Sequence, residues 1–106
     1  MSNDFKDLVA RVEAEAGAEG PEAVLELEAM RDRFALGRQV IQLRRRHDLT
    51  QKKLAELTGI GQSEISKIER GESNATTETL ARLGAPFHVR LLLVDENLQV
   101  VGSEAA

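Results

Sequence analysis

Residues 50–70, with the sequence TQKKLAELTGIGQSEISKIER, constrain the fold more than any other part of the chain. The apolar residues recur where two short helices would share one buried face: Leu54, Ile60, Ile65 and Ile68. Gly59 lies between them, where a sharp turn needs a positive φ that glycine adopts at little cost. Ala55 is small enough for the helices to cross closely there. The pattern therefore predicts two helices packed across a glycine turn.

This arrangement is typical of the helix-turn-helix motif, which usually places its second helix in the DNA major groove. On that helix the polar or cationic side chains share the face opposite the core: Gln62, Ser63, Ser66, Lys67 and Arg70. Amide, hydroxyl and amine groups suit base edges and phosphates. We predict that Gln62, Ser63 and Lys67 approach bases. We expect Gln51 to anchor a phosphate, with Ser66 and Arg70 in support. The alternative is a merely solvated helix face.

The charge distribution explains how a chain with a net charge of −4 can meet DNA. Residues 1–33 hold nine acidic and four basic residues, whereas residues 34–82 hold nine basic and six acidic ones. An acidic part and a basic part indicate two partners of opposite sign.

The composition argues against several other classes of function, namely metal-binding proteins, enzymes and membrane proteins. The absence of cysteine excludes disulfides and thiolate metal sites, and His47 and His88 belong to no ligand-spaced cluster, so no metal or cofactor is expected. Paired carboxylates, a Ser/His/Asp set and a phosphate loop cannot be found, so we do not expect an enzyme. Neither a signal peptide nor an apolar run of about 20 residues is seen. We expect a cytoplasmic protein that does not contact membranes.

An N-terminal arm, residues 1–33, precedes the DNA-binding part. Residues 4–16 predict an amphipathic helix with one apolar stripe: Phe5, Leu8, Val9 and Val12. A Gly/Pro break at residues 17–21 should let this helix move independently of the DNA-binding domain. Pro21 is suited to open a second helix, residues 22–47, in which Gly37 is a weak point. Thr50 and Thr76 are expected to cap helices at residues 51–58 and 77–83.

The C-terminal part, residues 85–106, changes character. Two runs rich in Val and Leu, residues 88–94 and 98–101, flank a turn-like Asp-Glu-Asn, which predicts a β-hairpin. An isolated two-stranded ribbon is marginal in water, so we expect the hairpins to pair across a homodimer axis through Leu91, Leu93 and Val94. The alternative is that the hairpin covers only its own helices.

From about residue 36 to residue 83 the chain resembles the Xre/Cro/C1-type helix-turn-helix family. LGRQVIQLRRRHDLTQ is similar to the family's first helix and GQSEISKIERGESNATTETLARL to its third and fourth. The resemblance implies a mainly α, lambda-repressor-like domain at residues 34–84 that binds an inverted-repeat DNA operator. It also implies an ion pair between Arg44 and Glu69 that fixes the second motif helix. The alternative is that Arg44 contacts a phosphate.

The acidic leader and the strand-turn-strand pattern after the motif further resemble HigA-type antitoxins. That resemblance implies a repressor of its own operon that neutralises a basic, RelE-like mRNA endonuclease toxin. The apolar stripe of the arm is then the candidate toxin-binding surface, because an acidic arm complements a basic toxin. The arm could instead only pack on, or solubilise, the domain. The rival interpretation is a stand-alone, phage-like Xre-type regulator without a toxin.

Overall fold

The computed structural model describes residues 3–102, with their side chains from residue 6 onward. Within that range the chain forms five α-helices and a short 3-10 helix. They are α1 (Asn3–Glu19), α2 (Pro21–Arg46), α3 (Gln51–Thr58), α4 (Gln62–Glu69), α5 (Thr77–Gly84) and the 3-10 helix Ala85–Phe87. Within that range, no helix has both the length and the apolar composition needed to cross a membrane. The mainly helical part of the predicted fold agrees with these elements.

Local capping signals set the ends of the motif helices. The Thr50 hydroxyl accepts a hydrogen bond from the Lys53 backbone N–H at 3.0 Å, so it satisfies a donor that the first turn of α3 leaves unpaired. Gly59 ends α3 with φ of 75°, and its N–H donates to the Ala55 carbonyl at 2.9 Å. This left-handed turn starts α4 three residues later and sets the angle between the two helices.

The core lies where α2, α3, α4 and α5 converge. Its buried side chains are Val40, Leu54, Ile60, Ile65, Ile68 and Leu83. Leu54 and Ile65 have no exposed surface, and burying such side chains contributes about 1.5–3 kcal/mol each. The core therefore holds α4 by one face and leaves the opposite face to solvent.

Gly37 is a packing position in α2. A Cβ atom there would lie 2.5 Å from the Ile68 carbonyl oxygen and 2.8 Å from the Glu69 carbonyl oxygen. The backbone of α2 thus passes directly over the last turn of α4. Glycine has a low helix propensity, yet α2 continues through Gly37. Glycine is required at this position because any side chain would clash with the backbone of α4.

The arm is a helical hairpin. α1 runs through Gly17 and ends at Glu19, and it folds back along the first half of α2, where Ala16 and Leu27 are buried and Glu13 pairs with Arg31. Apolar burial therefore packs α1 against the first half of α2. The independence of this arm from the DNA-binding domain stays a prediction. The radius of gyration, 15.9 Å, exceeds the roughly 13 Å of a compact globule of this size, because the hairpin projects from the core.

The predicted C-terminal β-hairpin is also wrong. Within the described residues no strand forms after the 3-10 helix, and a single antiparallel bridge joins Val94 to Val100. The Asp95 carboxylate caps the turn between them by accepting from the Asn97 and Gln99 backbone N–H groups. Residues 88–99 are exposed, so no helix or sheet covers the ribbon, and an uncovered two-stranded ribbon gains too little burial to form a ladder.

Candidate nucleic-acid interface

The outer face of α4 carries the side chains that the sequence assigned to DNA. Gln62, Ser63 and Lys67 are exposed, and within residues 3–102 their side chains make no hydrogen bond or ion pair. Ser66 is half-buried one turn further on. Gly61 precedes the helix and supplies no side-chain cap. Unpaired amide, hydroxyl and ammonium groups on a solvent-facing helix are available to a polar or anionic partner.

Arg70, at the end of this face, is already engaged. Its guanidinium donates to the Ser66 hydroxyl and, through Nε at 3.1 Å, to the Glu72 carboxylate. The Arg70–Glu72 pair is half exposed on both sides, so it contributes little to stability. It does bring a carboxylate to the edge of the α4 face, where an anionic ligand would be repelled.

One carboxylate connects α4 to the two helices before it. Glu69 accepts two hydrogen bonds from Arg44 of α2, from Nε at 2.7 Å and from Nη2 at 3.0 Å. It also accepts one from the Gln51 amide of α3 at 2.9 Å. Arg44 donates further to the Leu49 carbonyl at 3.0 Å. We call Arg44, Gln51 and Glu69 the Glu69 clamp, because they fix the orientation of α4.

The electrostatics of the clamp follow from its burial. The Glu69 side chain is 5% exposed and that of Arg44 is 14% exposed. Burial raises the pKa of Glu69, but the hydrogen bonds from Arg44 and Gln51, together with the positive charges of Arg44 and Arg45, outweigh it, and the net pKa is lowered. The pKa of Arg44 is raised, chiefly by its hydrogen bond to Glu69. Both groups are therefore charged at neutral pH.

Gln51, which the sequence predicts to anchor a phosphate, also takes part in the clamp. Its amide nitrogen donates to Glu69 and the residue is half-buried, and its phosphate contact stays a prediction. Lys52, the next residue, is exposed and, within the described part of the chain, has no carboxylate partner. Lys53 lies 3.6 Å from Glu56. The start of α3 thus presents cations beside the α4 face.

Sequence reasoning missed two contacts around α4. The Ser73 hydroxyl donates to the Glu64 carboxylate at 2.5 Å and so ties α4 to the loop that follows it. Glu72 holds Arg70, as described above. Neither contact follows a helical spacing, because the chain turns sharply after α4. The sequence offers one signal for these contacts: Glu72 places a carboxylate just after the cationic face of α4.

The other predicted site residues lie away from α4. Leu91, Leu93 and Val94 are 46%, 81% and 49% exposed in the segment after the 3-10 helix. In the arm, Leu8 is exposed while Val9 and Val12 are half-buried. The side chain of Phe5 lies outside the described residues. Among the described residues, no group of His, Asp and Glu is arranged to hold a metal ion.

This fold and interface define a class of protein, the helix-turn-helix domains. The helix-turn-helix family HTH_3 matches residues 40–93, about half the chain, and the chain belongs to that family. The match starts in α2, includes α3, α4 and α5, and ends in the exposed segment.

Similar proteins carry related names. An uncharacterized HTH-type transcriptional regulator of Haemophilus influenzae is 39% identical over 62 residues, which are 58% of this chain and 63% of that protein. Antitoxin PezA of Streptococcus pneumoniae is 35% identical over 54 residues, 51% of this chain and 34% of that protein. A crystal structure of an HTH_3 family transcriptional regulator from Vibrio cholerae has a TM-score of 0.55 and 28% identity, over 57% of this chain and 34% of that one. The chain therefore spans between about a third and just under two thirds of these proteins.

Proposed function

We propose that the chain is a sequence-specific repressor that binds double-stranded operator DNA through the outer face of α4. The observation that carries this proposal is the rigid presentation of Gln62, Ser63 and Lys67. Their side chains are unpaired within the described residues, while the Glu69 clamp fixes the helix that bears them. Preorganised groups of this kind suit base edges, and exposed Lys52 suits a phosphate.

We further propose that the repressor is a homodimer on an inverted repeat. Two-helix readers need two half-sites for affinity, so a second copy is expected. The dimer contact we propose includes Leu91, Leu93 and Val94, because their exposed apolar surface has no cover in the described part of one copy.

The finer proposal is that this repressor is an antitoxin of the HigA type, which neutralises a basic toxin and represses its own operon. The acidic arm supports a basic partner, and the similarity to a protein named Antitoxin PezA supports the class. The similarity to a protein named only as a transcriptional regulator favours the rival, a stand-alone Xre-type regulator. A small basic protein that is encoded next to this chain and copurifies with it would decide for the antitoxin.

The test of DNA binding is a titration of the full chain against DNA from its own promoter. Gln62→Ala/Lys67→Ala should weaken binding by about 2–6 kcal/mol in total if both side chains contact bases. Lys6→Ala/Gln39→Ala removes the same two side-chain types outside α4 and should bind as the unchanged protein does. Equal affinity for the two double variants would refute the assignment of α4.

A further inference from the structure

The arm has an open groove of about 560 Å³ between α1 and the first half of α2. Its floor is made of small or buried apolar residues, among them Ala16, Ala23 and Leu27. We call this feature the α1–α2 groove. Two helices that present alanine side by side leave room for a third backbone to approach, because interaxial distance follows side-chain size.

The rim of the groove is acidic. Glu15 and Glu19 line it from α1, and Glu26 lines it from α2. No ion pair engages these three carboxylates among the described residues, whereas Glu13, outside the lining, is already neutralised by Arg31. Arg33 is the cation that lines the groove, at its far end. The charged lining residues therefore leave a net charge of about −2 beside an apolar floor.

We infer that the α1–α2 groove is a docking site for an amphipathic basic helix of a partner protein. The groove runs along α1 from residue 12 to residue 19, about 10 Å at the helical rise, and along α2 from residue 23 to residue 33, about 15 Å, so it takes two to three turns of a third helix. An apolar stripe on that helix would cover Ala16, Ala23 and Leu27. Lysine or arginine on both flanks of the stripe would face the carboxylates of the rim.

This inference rests on the proposed basic partner and names the surface that binds it. It also departs in part from the stripe predicted from the sequence. Val9 is half-buried and lies outside the groove lining, whereas half-buried Val12 lines the groove. The surface left for a partner is the groove that the two helices make together.

The probe is a fluorescent 14-residue peptide with a leucine stripe flanked by lysine, measured by anisotropy against the full chain at physiological salt. Its counterpart carries glutamate in place of lysine. We expect the lysine peptide to bind and the glutamate peptide to bind at least tenfold more weakly. Similar binding of the two peptides would overturn the inference, because the rim would then select no charge.

Matched variants separate the groove from net charge. Glu19→Lys/Glu26→Lys should weaken the lysine peptide at least tenfold. Glu22→Lys/Glu28→Lys makes the same charge change at exposed positions outside the lining and should weaken it about twofold or less. An equal loss in both pairs would mean that the peptide responds only to net charge, and the groove would be excluded as its site.

Filling the groove tests its shape. Ala23→Phe should weaken the peptide at least tenfold, whereas Ala18→Phe, at an exposed position outside the lining, should not. Unchanged peptide affinity of Ala23→Phe would refute the inference. If Ala23→Phe instead turned a dimer into a monomer in light scattering, the groove would hold a second copy and no partner helix. Operator titrations of the same variants report on the repressor proposal separately, since none of these residues lies near α4.

Discussion

Replacing Glu69 with alanine is expected to destabilise the fold more than any other single removal of an acidic side chain in the described residues. The change leaves Arg44 and the Gln51 amide without their shared acceptor. Arg44 is 14% exposed and cannot fully regain water. Breaking one side of a buried pair costs about 3–5 kcal/mol and an exposed pair is worth about 0–1, so we expect about 2–4 kcal/mol here.

This loss of unfolding free energy corresponds to a fall in Tm of roughly 10–25 °C for a domain of this size, which circular dichroism can measure. Glu78→Ala is the matched control, because Glu78 pairs with Arg82 at 3.0 Å but both side chains are more than half exposed. The control should change stability by about 0.5 kcal/mol or less. If the two variants melt together, the Glu69 clamp does not hold α4, and Arg44 is free to contact a phosphate instead.

The pH dependence gives a second readout of the same pair. The pKa of Glu69 is lowered in the folded protein, so its contribution to stability is present above the ordinary carboxyl pKa of about 4.3 and is lost as pH falls through the lowered value. Glu69→Gln retains the shape without the titration. The stability difference between the unchanged protein and Glu69→Gln should therefore shrink as pH falls below about 5. A difference that stays constant to pH 3 would contradict the charged pair.

Three further predictions concern DNA and partners. Glu72→Gln should raise affinity for non-specific DNA about 3–10-fold and steepen its salt dependence, because Arg70 is released and a repelling charge is lost; Glu78→Gln is the control, and unchanged salt dependence would count against it. Leu91→Ser/Leu93→Ser should give a monomer in light scattering, while Leu57→Ser, an exposed leucine in α3, should not; a persistent dimer would exclude the exposed segment as the interface. Deleting residues 1–20 should abolish toxin neutralisation in a growth assay while operator affinity stays nearly unchanged; growth rescue by the truncated chain would place the antitoxic surface elsewhere.

The helices of the motif could be predicted because their signals are local. Thr50, Gly59 and Thr76 mark helix ends through contacts within a few residues, and the apolar spacing of α3 and α4 identifies the buried face. These boundaries hold to within a residue. The same local spacing predicts which side chains of α4 face solvent, because they lie on the face opposite the core.

The remaining features depend on contacts distant in sequence. Helix propensity alone predicts a weak point at Gly37, because it carries no information about the backbone of α4, which packs against this residue. The hydrogen bond from Gln51 to Glu69 spans 18 residues, so no local spacing in the sequence predicts it. The prediction of a C-terminal β-hairpin is wrong because an apolar strand pattern does not show whether another element will cover the two strands.

The most direct test of DNA reading by α4 is a titration of Lys67→Ala and Lys52→Ala against operator variants that each carry one changed base pair. Lys67→Ala should lose discrimination of about 1–3 kcal/mol at one position in each half-site and keep it elsewhere. Lys52→Ala should weaken every site by the same factor, as a phosphate contact does. A discrimination profile of Lys67→Ala identical to that of the unchanged protein would contradict base reading by this face.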